Sequence, residues 1–156
     1  MIDPAITQQV RMDYYNSDDQ NTLQIVANEA DLFWTWFGNE AVRLHVPEHQ
    51  NYIIQDAYHI GQCFSNAQNE AITNGLPYYE GFILINNHNY LHAFNSLNGQ
   101  VHDVTALNQP AFFQDINDVM PTIYHGIYIP QDFIMAHDPG NGCLLRLFFI
   151  ASQQIN

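Results

Sequence analysis

Three residues of this chain carry the side chains of a nucleophilic triad: Cys63 in "HIGQCFSNA", His92 in "YLHAFNSL" and Asp103 in "QVHDVT". A thiol attacks a carbonyl carbon as its thiolate. An imidazole that takes the proton, oriented by a carboxylate on its other ring nitrogen, makes that thiolate available. Cys63 follows Gly61-Gln62 at the start of a helix-like run. There, unpaired backbone N–H groups and the positive end of the helix dipole stabilise negative charge on sulfur. The same N–H groups, with the Gln62 side chain as a further donor, would hold the oxyanion of a tetrahedral intermediate. The chemistry expected is acyl transfer, with Cys63 attacking, His92 as base and then acid, and Asp103 orienting the imidazole.

The elements that must position these groups are legible. "CFSNAQNEAITN", Cys63 to Asn74, reads as a helix closed by Gly75 and Pro77, with Cys63, Ala67 and Ala71 on one stripe and Phe64 beside it. After Pro77 the pattern becomes strand-like in "YYEGFILI", "YLHAFNSL" and "QVHDVT", and later in "TIYHGIYI" and "CLLRLFFIA". Asn98-Gly99 between two such runs is a strong hairpin signal. A two-residue turn there sets Leu97 opposite Gln100, Asn95 opposite His102, Phe94 opposite Asp103 and His92 opposite Thr105. His92 and Asp103 then share a face as diagonal neighbours, ~7–8 Å apart at the backbone. "NNHN" is expected to close a second hairpin with Ile85 opposite Tyr90, Ile83 beside His92 and Gly81 beside Phe94. The front face would carry Tyr79, Gly81, Ile83, Tyr90, His92, Phe94, Val101, Asp103 and Thr105, and the helix starting at Cys63 is expected to cover it.

Upstream, "NSDDQNTLQIVANEADLFWTWFG" reads mostly as helix capped by Asp18 or Asp19, with Trp34, Trp36 and Phe37 in the core. "AVRLHV" reads as a short strand ended by Pro47, Asn51 to Tyr58 as helix, and "PQDFIMAH" as a short helix. Helices first and antiparallel strands afterwards predict an α+β fold, N-terminal helices packed on an antiparallel sheet. With 156 residues, no internal repeat and no linker, the expectation is a single domain, residues 1–46 forming an N-terminal extension and 47–156 the core.

Composition bounds the partners. A hydrophobic content of 47% argues for a packed core. A net charge of −13 comes from 16 acids against three arginines, Arg11, Arg43 and Arg146, with no lysine at all. Such a surface repels phosphates and anionic lipid, so neither nucleic acid nor membrane is an expected partner. The acids form no dense tract, which argues against mimicry of DNA. The missing lysines fit compositional drift in an Asn- and Gln-rich background, or selection against lysine as a target for ubiquitin-like tagging or for crosslinking by an acyl-transferring site. The N-terminus lacks a basic segment followed by an apolar one, so no signal peptide is read and a cytoplasmic protein with free thiols is expected.

Other reactive residues have plainer readings. Cys143, in an apolar run, is read as core. Glu80, Asn95 and His102 fall in one back-face row, read as solvated or interface-lining. His45/His49 and His88/His92 have a spacing that on a helix would suit zinc, but Pro47 disturbs the first pair and a turn separates the second. The expected chemistry needs no cofactor and no metal.

Four segments together resemble small bacterial and phage proteins of the papain-like and transglutaminase-like cysteine-triad superfamily. Their pattern is Gly-x-Cys-(aromatic)-x-Asn-Ala, Tyr-x-Glu-Gly-(aromatic), His-Ala-(aromatic) and Asp-x-Thr. This chain has "GQCFSNA" at Gly61–Ala67, "YYEGF" at Tyr78–Phe82, "HAF" at His92–Phe94 and "DVT" at Asp103–Thr105, with "YHGIYIPQDFI" following at Tyr124–Ile134. The resemblance spans Pro47 to Ile134, and Phe94 stands where tryptophan is commoner. It implies a papain-like core and a Cys63–His92–Asp103 triad in a cysteine-dependent hydrolase or acyl transferase acting on an amide, isopeptide or ester carbonyl of a protein or peptide. The alternative is a non-catalytic inhibitor or effector that uses the same scaffold and its acidic surface to bind a partner.

Overall fold

Asp3 and Pro4 begin the first helix. In the computed structural model, which describes residues 1–47, 62–107, 123–140 and 142–154, the Asp3 carboxylate accepts the Ala5 N–H at 2.7 Å and caps α1 (Pro4–Tyr15). Proline suits the first turn because it has no N–H to leave unpaired. In α2 (Ala30–Glu40), Ala30, Phe33, Trp34, Phe37 and Gly38 are buried, the i, i+3, i+4, i+7, i+8 set of an amphipathic helix. The two helices close at Gly38, where a Cβ would stand 2.9 Å from Thr7 Oγ1.

The expected long helix after Asn16 is corrected to two 3₁₀ turns, Asp18–Asn21 and Ala27–Glu29, followed by α2. Ser17, not Asp18 or Asp19, caps the first turn. Tertiary bonds outweigh local propensity here. The Tyr14 hydroxyl donates to the Leu23 carbonyl and accepts the Ile25 N–H, holding this segment out of helix.

β1 (Val42–Leu44) falls where the sequence predicts it. With β2 (Tyr78–Ile85), β3 (His88–Leu97), β4 (Gln100–His102) and β5 (Ile123–Ile129) it forms an antiparallel sheet of order β1-β5-β2-β3-β4. The fold class is α+β, as expected. The sheet curls until its two edges meet: Val101 N–H donates to the His45 carbonyl at 2.8 Å across a bridge between His45 and Gln100. Glycine permits a close approach inside it, since a Cβ on Gly81 would lie 2.0 Å from the His125 carbonyl oxygen.

The Asn98-Gly99 hairpin has the predicted register, Leu97 opposite Gln100 and Asn95 opposite His102. Both turn residues have positive φ, 54° and 78°. The other hairpin is corrected. Ile85 pairs with His88, not Tyr90, which puts Gly81 opposite His92 and Tyr79 opposite Phe94. Asn86 and Asn87 both adopt positive φ, so two residues make the turn where four were expected. The slip is an even number of residues, so every side chain keeps its face.

The concave front face holds a small core of Ile83, Phe94, Val101 and Tyr124, with Leu44, Val46, Tyr79 and Ile85 against it. The back face carries Tyr78, Phe82, Leu91, Ala93, Ile127 and Ile129 into the main core. That core includes Val10, Tyr14, Phe33, Trp34 and Phe37 from the N-terminal helices, and residues of α3 (Cys63–Asn74), α5 (Gln131–Ala136) and α6 (Leu145–Gln154). A further single turn, α4 (Val104–Leu107), follows β4. The run "CLLRLFFIA", expected as a strand, forms most of α6. A continuous apolar run has no period to separate strand from helix.

The edge of β3 beyond the reach of β4 is closed by carboxylates from the N-terminal segment. Asp13 Oδ2 accepts the Asn89 N–H and Asp19 Oδ2 the Leu91 N–H, each at 2.9 Å. These acids do for the ladder what a neighbouring strand's carbonyls would do. The helix expected at Asn51–Tyr58 lies outside the described residues.

Candidate active site

Cys63 is the first residue of α3, a helix that Gly75 terminates in the left-handed region at φ 69°. Gln62 precedes it at the cap position and is exposed, and its side chain makes no capping hydrogen bond. Among the described residues, no side-chain cap takes up the N–H groups of the first turn. Contrary to expectation, α3 covers the back face of the sheet. Ala67 and Ala71 pack into the main core, and Asn95 Nδ2 donates to the Ala67 carbonyl at 2.9 Å. Small residues on that stripe let the helix lie close. Cys63 still reaches His92, because β4 pairs with β3 only from Asn95 to Leu97 and among the described residues no strand flanks His92 on that side.

Asp103 is also held differently from the prediction. The β4 ladder ends at His102, so the pairs Phe94–Asp103 and His92–Thr105 do not form. Instead Asp103 starts α4, its Oδ1 accepting the Ala106 N–H at 3.1 Å in the manner of an N-cap. Thr105 Oγ1 accepts from Asn66 Nδ2 at 3.0 Å, tying this turn to the first turn of α3.

The three predicted groups meet. His92 Nε2 lies 2.7 Å from Asp103 Oδ2. With Nε2 so engaged, Nδ1 is the ring nitrogen left to face Cys63, whose charge and hydrogen bonding act on the imidazole. Side-chain exposure is 14% for His92 and 1% for Asp103. Burial works against a charged imidazole, but the charges of Asp103 and Cys63 and the hydrogen bonds to both hold the His92 pKa well above its usual range. Burial also works against the Asp103 carboxylate, and the His92 charge with donors from His92, Tyr124 and Ala106 keeps its pKa below the ordinary value.

Tyr124 was not anticipated. It lies on the front face of β5, 2% exposed, and its hydroxyl donates to Asp103 Oδ2 at 2.7 Å. Its ring meets Phe94 edge-on at 4.9 Å, while Phe94 stacks at 6.4 Å on His92 and at 5.7 Å on Tyr79. Strand alternation puts Tyr124 on one face with Gly126, but nothing local to "TIYHGIYI" says that β5 lies beside β2.

The other candidates separate from this site. Glu80, expected in a solvated row, is fully buried and faces Ala93. The observed row is Tyr78, Asn95 and His102. Glu80 accepts the Leu144 N–H on both oxygens at 2.9 Å, the Leu145 N–H at 2.8 Å, the Tyr78 hydroxyl at 2.5 Å and the Cys143 thiol at 3.1 Å. It anchors the start of α6. Burial pushes its pKa up to about 6 despite those donors. Burial, with the Glu80 charge, also pushes the Cys143 thiol well above its usual pKa, so this half-buried cysteine has a structural partner and no imidazole among those named. His49 lies outside the described residues, and among the described ones no three metal-ligating side chains cluster. No helix among them is long and apolar enough to cross a membrane.

No protein-family model matches the chain, and no curated protein or solved structure matches it at a significant level.

Proposed function

We propose that this protein is a cysteine-dependent hydrolase or acyl transferase acting on an amide, isopeptide or ester carbonyl. One observation carries this reading: Cys63, at a helix tip, acts on the His92 imidazole, whose Nε2 lies 2.7 Å from the buried Asp103 carboxylate. An imidazolium beside sulfur is the arrangement in which a thiolate nucleophile forms.

Cys63 gives its proton to His92 and its sulfur bonds the carbonyl carbon. The carbonyl oxygen, now an oxyanion, is held by the Cys63 N–H and the Gln62 side chain. As the tetrahedral species collapses, the carbon–nitrogen or carbon–oxygen bond breaks and His92 returns the proton to the leaving group. Water, or an amine or alcohol in a transferase, then attacks the thioester with His92 as base and releases Cys63. Asp103 fixes the ring and offsets its charge throughout.

Activated esters test this. With p-nitrophenyl acetate the wild type should release a burst of nitrophenolate and gain one acetyl mass on Cys63, and Cys63→Ser should do neither. Absence of both in the wild type would leave the non-catalytic binding scaffold as the better reading.

A further inference from the structure

We infer that Tyr124 is a positioning residue of the cysteine site, sharing one carboxylate oxygen of Asp103 with His92 and thereby setting how firmly the imidazole holds its proton. The inference rests on the proposed acyl chemistry and extends it to a residue the triad does not include. His92 Nε2 and the Tyr124 hydroxyl both lie 2.7 Å from Oδ2, and Oδ1 takes the Ala106 N–H at 3.1 Å. Three donors from β3, β5 and α4 thus fix a side chain whose terminal torsion is otherwise soft.

An ionised carboxylate only accepts, so the Tyr124 hydroxyl must donate. Burial and the Asp103 charge keep the phenol protonated well past its usual range, so it donates at every pH at which the site would operate. A second donor on Oδ2 spreads the negative charge that the oxygen offers to His92. Without the Tyr124 hydroxyl, the same oxygen would bind the imidazolium proton more strongly, while the Ala106 N–H would still hold Oδ1.

Tyr124→Phe removes the hydroxyl and keeps the ring against Phe94. The His92 ring titration, followed by NMR, should move up by about one pH unit, the scale of a charge-assisted hydrogen bond. In an Asp103→Asn background the same change should move it little, because the shared oxygen no longer carries charge. A purely structural tyrosine predicts no movement in either background.

An unmoved His92 midpoint, or an equal shift with and without Asp103, overturns the inference. Alkylation of Cys63 by iodoacetamide, read by peptide mass in the same samples, separates this from the parent proposal. A wild-type Cys63 that reacts no faster than a free thiol overturns the cysteine chemistry and the role of Tyr124 together. An activated Cys63 with an unmoved His92 overturns only the latter.

Discussion

Glu80 grips the backbone N–H of Leu144 with both carboxylate oxygens, 2.9 Å each, at the start of the last helix. This carboxylate is fully buried, and burial raises its pKa from 4.5 to about 6. Between those values the folded state binds more protons than the unfolded one. The contribution of Glu80 to stability is thus fully present below about pH 4.5 and is lost as pH rises through 6, by ~2 kcal/mol in all. Urea midpoints measured from pH 4.5 to 7 should show this component in the wild type and lack it in Glu80→Gln. That variant should also be less stable throughout, because an amide nitrogen replaces one acceptor among several N–H donors. Equal pH slopes would contradict the assignment.

The His92–Asp103 pair has the opposite sign for its acid. Asp103 is held below the usual carboxylate value, so its contribution is present above about pH 4 and is lost as pH falls. His92 is held above the usual imidazole value, so its contribution is complete below about pH 6.5 and is lost as pH rises through the folded pKa. Asp103→Asn should slow acylation of Cys63 by about 10³-fold or more, through loss of the imidazole's orientation and charge partner. Burst kinetics with an activated ester measure it, and an unchanged burst rate would refute Asp103 as the orienting group.

Asp13 closes the bare edge of β3 by accepting both the Asn89 N–H and its side-chain amide at 2.9 Å. Asp13→Ala leaves a buried N–H unpaired and should cost about 2–3 kcal/mol. Hydrogen exchange at the Asn89 amide should accelerate well beyond that at Phe82. Uniform acceleration across the sheet would mean global loss and no specific role at this edge.

Two glycines separate space from backbone conformation. A Cβ at Gly81 would collide with the His125 carbonyl at 2.0 Å, whereas at Gly75, with φ 69°, it would touch nothing within 4 Å. Gly81→Ala should prevent or gravely weaken folding, and Gly75→Ala should cost only ~1–2 kcal/mol of left-handed strain. Circular dichroism and urea unfolding distinguish the two. A well-folded Gly81→Ala would show that β2 and β5 do not approach as described.

What the sequence revealed about this fold follows how local each determinant is. Asn98-Gly99 carries its own turn geometry, and its hairpin register follows directly. Asn86-Asn87 could make a tight turn or belong to a longer loop, and the choice depends on the whole ladder. α3 was legible from Gly75, Pro77 and its spacing, but which face it covers depends on Asn95 and Tyr78, residues distant in sequence. Cys63, His92 and Asp103 could be named from residue type, the helix start and the Asn98-Gly99 hairpin, although the ladder ends at His102 before it reaches Asp103. The actual route by which Asp103 reaches His92, a capping turn after the ladder ends, was not legible. Tyr124 and the burial of Glu80 depend on β5 and α6 docking from the far end of the chain, where short-range pattern carries no information.

If His92 activates the Cys63 sulfur, Cys143 supplies an internal control in the same molecule. Labelling the folded protein at pH 7 with a neutral cysteine-directed electrophile, with peptide-resolved rates, tests this activation most directly. Cys63 should react far faster than both glutathione and Cys143, and fall to the glutathione rate in His92→Ala. A wild-type Cys63 no faster than glutathione, or a fast Cys63 indifferent to His92, would contradict it.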